Sequence, residues 1–245
     1  MSRWLLRRPL AGAVILTLLW HAVVFAADAA LPPLSPDWFP ALGPTLINLL
    51  AAVVPIGVAV ISGWWGAAGF GWRVPRRAWW YALPVLVACG AYAVSPLAGD
   101  AAALTSTAVM CLAIGVSEES LSRGVNQMML ARLGRFRAAV WVAVLFGLGH
   151  ALSAAWFGRD LDDTVMQVIS TTAFGFCFAA LRFHLGVIWP LVLLHALDDF
   201  LQLTSPGKTP DWLQVAEIVF FVGYGWWLLT RLPRSGLSLK VPRTD

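Results

Sequence analysis

The chain has 245 residues, of which 59% are hydrophobic and only 12% are charged. A typical soluble domain has about 25% charged residues, so the composition excludes an ordinary soluble enzyme and predicts an all-α, polytopic membrane protein. The net charge of +4 comes from basic residues beside apolar segments, where they act as juxtamembrane anchors, and indicates no nucleic-acid partner.

Eight apolar segments are each long enough to cross about 30 Å of hydrocarbon. Clusters of proline, glycine and aspartate separate them, as is typical of loops. No repeat or low-complexity tract divides the chain, so we expect a single membrane domain over residues 1–245. In chain order, the segments cover residues 9–27, 42–62, 78–95, 102–130, 137–157, 164–182, 186–203 and 212–231.

The distribution of basic residues supports this count of spans. If the segments alternate in direction, 14 basic residues lie on one side of the membrane, and only Arg159 and Lys208 lie on the other. The positive-inside rule then predicts that both termini are cytoplasmic, in a prokaryotic inner membrane. The residues on the basic side are Arg3, Arg7, Arg8, Arg73, Arg76, Arg77, Arg132, Arg135, Arg137, Arg182, Arg231, Arg234, Lys240 and Arg243.

The first segment resembles a signal peptide. Basic residues from Arg3 to Arg8 precede its apolar run, and Ala27-Asp28-Ala29 follows it in the manner of a cleavage site. The apolar run is longer than a typical signal core, so we expect an uncleaved first span. Cleavage would leave the orientation of the other spans unchanged.

Two carboxylates and a guanidinium interrupt the fourth segment. An ionisable group in a bilayer costs a few kcal/mol or more unless it meets a partner or water. Glu119 and Arg123 are four residues apart, so a helix would stack them as an ion pair with the acid first. Glu118 is turned about 100° away and is left to point elsewhere. The alternative for this segment is a purely architectural ion pair with a spare acid.

Two later segments carry histidines in polar motifs. Phe146 and His150 are four apart in the fifth segment, and His195 and Asp199 are four apart in the seventh. Asp198 is three residues from His195 and is a second candidate partner for it. Taken singly, an intramembrane histidine such as His150 is as well explained by a hydrogen bond between helices.

Depth in the membrane links these motifs. At about 1.5 Å per residue, Glu118, His150 and His195 lie about 18, 20 and 14 Å from the cytoplasmic ends of their spans. A common depth on three helices predicts one shared polar site. His21, which we place nearer the outer end of its span, and Glu217 are not expected to belong to it.

Taken together, these three motifs resemble the motif set of a known family. They are Glu118-Glu119-x-x-x-Arg123, Phe146-x-x-x-His150 and His195-x-x-x-Asp199. The set is similar to that of the CPBP family, or ABI domain, which comprises intramembrane proteases related to the type II CAAX prenyl endopeptidases and to bacteriocin-processing enzymes. The resemblance covers about residues 101–203, and it implies a bundle of eight helices.

The resemblance also implies site roles. Glu118 and His150 are expected to activate water for peptide hydrolysis, and the last motif to support the oxyanion. Burial in an apolar cavity makes a carboxylate a stronger base towards water, which fits this role. The CAAX-processing branch usually has Asn where this chain has Asp199. An ionised Asp would repel an oxyanion, so we expect Asp199 to orient His195 from behind.

Other functions remain open at this point. No cofactor is expected, but a zinc-dependent form of the same protease would use His150, His195 and a carboxylate from Glu118 or Asp199 as ligands. The sequence has no H-E-x-x-H helix of the kind that zinc proteases use. A non-catalytic membrane scaffold or immunity-type protein and a proton-coupled transporter are the alternatives from other classes. The expected partners are the lipid bilayer and a membrane-protein or lipidated-peptide substrate, of which prenylated CAAX tails are one candidate.

Overall fold

The computed structural model describes residues 2–74, 76–93, 96–205 and 210–232. Within these ranges the chain is helical and forms no β-strand, which confirms the all-α class. Four basic residues of the charge count, Lys208, Arg234, Lys240 and Arg243, lie outside the described residues. The helices are α1 (Ser2–Arg7), α2 (Pro9–Ala30), α3 (Leu42–Ile61), α4 (Leu83–Gly90), α5 (Ala101–Glu119), α6 (Gln127–Leu130), α7 (Arg135–Phe157), α8 (Leu161–Leu185), α9 (Trp189–Thr204) and α10 (Asp211–Arg231).

Six helices in the described part are long and apolar enough to cross a membrane, which makes this an integral membrane protein. They are α2, α3, α7, α8, α10 and a continuous helix from Ala101 to Leu133 that begins with α5. This last helix changes its winding after Glu119, where Ser120–Asn126 forms a π-helix before α6 and a 3₁₀ turn, Ala131–Leu133. π-Helical turns are rare and often mark functional sites.

The third and seventh predicted spans are shorter than expected. Segment 78–95 does not form one helix: the 3₁₀ helix Arg76–Tyr81 is followed by α4, which has only 8 residues. Pro84 explains the break, because proline fits the first turn of a helix and not its interior. The seventh segment forms α9, with 16 residues, after Gly186 ends α8 at a positive φ of 74°. The count of eight spans therefore stays a prediction.

The contacts between helix termini define two ends of the bundle. At one end, Arg135 Nη1 donates to the Leu232 carbonyl at 3.1 Å, and the His184 ring lies 2.9 Å from the Leu228 carbonyl. At the other end, Trp156 Nε1 donates to Asp28 Oδ2 at 2.9 Å. The described arginines other than Arg123 and Arg159 belong to segments at the first end, which we call the arginine end.

Helix α8 is the centre of the bundle. Its second half, residues 173–185, is buried without a break, as expected for a helix with neighbours on all sides. Helices α7 and α10 pack against it, while α5 packs against α3 and α9. Small residues allow the close contacts: a Cβ atom at Gly147 on α7 would overlap the Thr172 hydroxyl on α8. The polar motifs on α5, α7 and α9 are thereby brought around one point.

Candidate active site

Arg123 and Glu119 form an ion pair inside the bundle. Arg123 Nη1 donates a hydrogen bond of 2.7 Å to Glu119 Oε1, and neither side chain is exposed. The guanidinium carbon also lies 4.2 Å from the centre of the Phe146 ring and 5.4 Å from that of Phe178. A carboxylate and aromatic faces together offset the cost of burying the cation.

His195 contacts the same carboxylate oxygen. Its Nδ1 lies 2.8 Å from Glu119 Oε1, so the Nδ1–H group donates to the carboxylate. Its Nε2 lies 3.6 Å from Asp199 Oδ2 and 3.8 Å from Glu118 Oε2. Both distances are too long for a hydrogen bond, so Nε2 is left to meet another group.

The group that orients His195 differs from the one expected from the sequence. We expected Asp199 to hold the ring from behind, but the acceptor of the Nδ1–H hydrogen bond is Glu119. The close packing of α9 on α5 explains the difference. A Cβ atom at Gly115 would lie 2.8 Å from the Val192 carbonyl oxygen, so the two backbones approach closely and the ring reaches the carboxylate. Asp199 lies instead on the Nε2 side.

Glu118 and His150 face a common cavity of about 160 Å³. The Glu118 side chain is 17% exposed, and its Oε2 has no hydrogen-bond partner among the described residues. His150 Nδ1 lies 2.9 Å from the Phe146 carbonyl oxygen, which can only accept. The proton of the neutral ring is therefore on Nδ1, and Nε2 keeps its lone pair. The cavity has room for a few water molecules, which a carboxylate and an imidazole can hold and polarise.

His21 is a site residue that the sequence analysis left out. It lines the same cavity, and its two ring nitrogens lie 2.8 Å from the Thr17 carbonyl and 3.0 Å from the Gly149 carbonyl. A Cβ atom at Gly149 would lie 2.9 Å from the ring, so glycine makes room for it. Counted from Pro9 at about 1.5 Å per residue, His21 lies about 18 Å into α2, the depth of Glu118. When depth is counted from the cytoplasmic end of α2, as for the other three residues, His21 falls at the depth of the polar site.

A second cavity, of about 560 Å³, lies on the other side of His150. Helices α8, α9 and α10 contribute most of its wall, and His195 and Asp199 face into it. His150 and Phe146 line both cavities, so His150 lies between them. A water molecule beside Glu118 and a peptide in the larger cavity would meet at His150.

The zinc alternative would need three or more ligand side chains gathered at one point. Among the described residues, no group of three or more His, Cys, Asp or Glu side chains is arranged to hold a metal ion. One nitrogen of His195 bonds Glu119 and one nitrogen of His150 bonds a backbone carbonyl, which leaves one nitrogen of each ring for another group. The chemistry proposed below uses protein groups and water.

These features define a class before any comparison: a helical, polytopic membrane protein with a buried Glu–Arg–His network beside a cavity that holds a second glutamate and a second histidine. Residues 100–201 match the model of the family described as type II CAAX prenyl endopeptidase Rce1-like. The matched stretch contains all three motifs and confirms the resemblance that they predicted. No curated protein and no solved structure matches the chain.

The match supports a coarse activity, that of a protease, a hydrolase that acts on peptide substrates. Together with the six long apolar helices, it supports a membrane-embedded protein that acts on peptides.

Proposed function

We propose that this protein is an intramembrane endopeptidase that hydrolyses a peptide bond of a membrane-associated protein, with water as the nucleophile. The observation that carries the proposal is the placement of Glu118 and His150 on one cavity, next to the larger cavity that His195 faces. No cofactor takes part. We also propose that the protein lies in a prokaryotic inner membrane with both termini in the cytoplasm.

The first step is attack by water on the peptide carbonyl. Glu118 removes one proton from a water molecule that also donates to His150 Nε2, and the oxygen adds to the carbonyl carbon. The C=O electron pair moves to oxygen. His195, protonated on both ring nitrogens because its Nδ1–H also bonds Glu119, donates a hydrogen bond from Nε2–H to this oxyanion. Glu119 keeps the ring oriented, because it accepts from Nδ1 on the opposite side.

The second step breaks the C–N bond. The oxyanion re-forms the carbonyl, and the bonding pair of electrons leaves with the nitrogen. The proton held by Glu118 passes through His150 to this nitrogen, which departs as an amine. The acyl part leaves as a carboxylic acid, so one water molecule is consumed and the side chains return to their starting states.

The test is a terminus-resolved membrane proteome from host cells that carry wild-type protein or Glu118→Gln, at matched expression. We expect new protein termini in the wild-type cells that are absent from the Glu118→Gln cells. Those termini also name the substrate. Glu118→Gln replaces one carboxylate oxygen by an NH2 group and keeps the shape of the side chain, so the fold is expected to be retained.

A matched pair of histidine variants provides the control. His184 is a second buried histidine, bonded to the Leu228 carbonyl, and it lines neither cavity. His150→Gln should abolish the new termini, whereas His184→Gln should keep them. If wild type and Glu118→Gln gave identical termini while Glu118→Gln rescued the effect of deleting the gene, a scaffold role would replace the protease. Loss of cleavage on adding a zinc chelator, with recovery on adding zinc, would favour the metal-dependent alternative.

A further inference from the structure

The larger cavity has an acidic wall. Four carboxylates line it, against a single guanidinium, Arg159, among the described residues. We call this cavity the acidic vestibule. Its carboxylates are Asp163, Asp198, Asp199 and Glu217.

Two of these carboxylates are buried and incompletely paired. Asp198 and Glu217 are each only 6% exposed. Asp198 Oδ2 accepts a hydrogen bond from Gln202 at 2.7 Å, but its Oδ1 has no partner among the described residues. Glu217 Oε1 has none there either. Buried carboxylate oxygens without a partner are costly, so these two oxygens lack a cation or a donor that would complete them.

The rest of the wall suits a peptide better than a lipid chain. Gln167 and Gln214 provide amides, and Ser170 and Thr171 provide hydroxyls, which can bond the backbone of an extended peptide. The volume of about 560 Å³ lies in the usual range for a ligand-binding pocket. His195 lies at its inner end, so a bound peptide would reach the group that we propose for the oxyanion.

The vestibule lies at the end of the bundle opposite the arginine end. Its outer residues come from the start of α8, the start of α10 and the end of α9, as Asp163, Gln214 and Gln202 illustrate. In the same region, the Ala98 amide donates to the Thr204 carbonyl at 2.8 Å, which joins the start of α5 to the end of α9. By the positive-inside rule, this end faces away from the cytoplasm.

We propose that the acidic vestibule binds a lysine or arginine side chain of the substrate, which enters from the extracytoplasmic side, and so places the adjoining peptide bond at His195. This inference rests on the proposed function, since it names the substrate class of the same site. The basic side chain supplies the cation that Asp198 and Glu217 lack. The amide and hydroxyl side chains of the vestibule wall then bind the neighbouring backbone of the substrate.

The test is a binding measurement that needs no cleavage. Two fluorescent peptides are compared that differ at one central position, which carries lysine or its uncharged counterpart norleucine. The purified Glu118→Gln protein in lipid nanodiscs should bind the lysine peptide about tenfold more tightly. Adding Asp198→Asn and Glu217→Gln should reduce this preference to about twofold or less.

Two further variants separate recognition from damage to the fold. Asp162→Asn removes a carboxylate from the same turn of α8 as Asp163, but from outside the vestibule, and should keep the full preference for lysine. Arg159→Gln removes the opposing cation and should increase the preference by about twofold. An increased preference for the lysine peptide could not arise from an unfolded protein.

Three results would overturn the proposal. These are equal binding of the two peptides, an unchanged preference after removal of both buried carboxylates, and a metal ion bound in stoichiometric amount that is lost in the double variant. The proposed function is judged separately, by incubating the same peptides with wild type. Tighter binding of the lysine peptide without any cleavage would contradict the protease proposal and support the vestibule proposal. Equal cleavage of both peptides would support the protease proposal and contradict the vestibule proposal.

Discussion

The two adjacent glutamates have different surroundings. Glu119 is fully buried, bonded to both Arg123 and His195, and forms what we call the dry half of the site. Glu118 is partly exposed, has an unpartnered oxygen, and shares a cavity with His150, which together form the wet half. Because successive residues of a helix point about 100° apart, one carboxylate can be fixed while its neighbour stays free to react.

This contrast teaches how a charged site can be stable inside a membrane protein. The dry half holds its charges against one another, so it contributes order, although Glu119 Oε2 and two guanidinium nitrogens of Arg123 have no hydrogen-bond partner among the described residues. The wet half holds a carboxylate whose Oε2 has no hydrogen-bond partner among the described residues, and a nitrogen with a free lone pair. His195 connects the halves, since its Nδ1 bonds the dry half and its Nε2 faces the Glu118 side.

The largest effect is expected in the wet half. Glu118→Gln should lower kcat for peptide cleavage by about 10²–10⁴-fold, because the amide cannot accept the proton from water. The thermal unfolding temperature of the purified protein should stay within a few degrees of wild type. Initial cleavage rates of a substrate peptide, alongside a melting curve in the same detergent, check both parts. Wild-type cleavage by Glu118→Gln would show that another group removes the proton.

The next effect is expected in the dry half. Arg123→Met should destabilise the protein by about 3–5 kcal/mol, because it leaves Glu119 as a buried and uncompensated charge. The amount of protein in the membrane and its unfolding temperature should both fall. Adding Glu119→Gln to Arg123→Met should restore part of the loss, and Arg159→Met, at an exposed position, should have little effect. A fully stable Arg123→Met protein would mean that the pair contributes little to the fold.

An intermediate effect should distinguish the two acids near His195. Glu119→Gln should lower kcat by about 100-fold, because a neutral amide weakens the charge-assisted hydrogen bond that positions the ring. Asp199→Asn should leave kcat close to wild type, because Asp199 makes no hydrogen bond to the ring in the structure. Steady-state kinetics of the two variants on one substrate provides the comparison. A larger loss from Asp199→Asn than from Glu119→Gln would return the orienting role to Asp199.

The smallest effect is expected at His21. His21→Gln keeps a side chain that can bond the Thr17 and Gly149 carbonyls, but changes the wall of the water cavity. We expect up to about a tenfold loss of kcat, the value of one hydrogen bond, with KM unchanged. The same measurement on Thr164→Ser, a conservative change away from both cavities, serves as the control. A change in KM alone would place His21 in substrate binding.

Spacing along one helix predicted the local part of the site. Residues four apart share a helix face, and the structure indeed brings Glu119 together with Arg123 and leaves Glu118 on another side. The hydrogen bond from His195 to Glu119 joins residues 76 positions apart. It depends on how closely α5 and α9 pack at Gly115, which helical periodicity does not encode.

Apolar composition predicted most of the spans but not every break within them. Six apolar segments became long helices, and one of these, α3, continues through Pro55. The third segment is apolar throughout and was predicted as one span, but Pro84 lies in the first turn of a new helix there. The π-helix at Ser120–Asn126 had no sequence signal that we could name, and His21 was missed through the choice of the end from which depth was counted.

The position of His150 between two cavities separates two supply routes. Under the proposed function, water would reach the ring from the side of α2 and α5, and the peptide would lie among α8, α9 and α10. A long peptide can therefore fill the larger cavity completely without blocking the entry of the water molecule that each hydrolysis consumes. Such an enzyme could bind a new water molecule between successive cleavages without releasing its substrate or binding it more weakly.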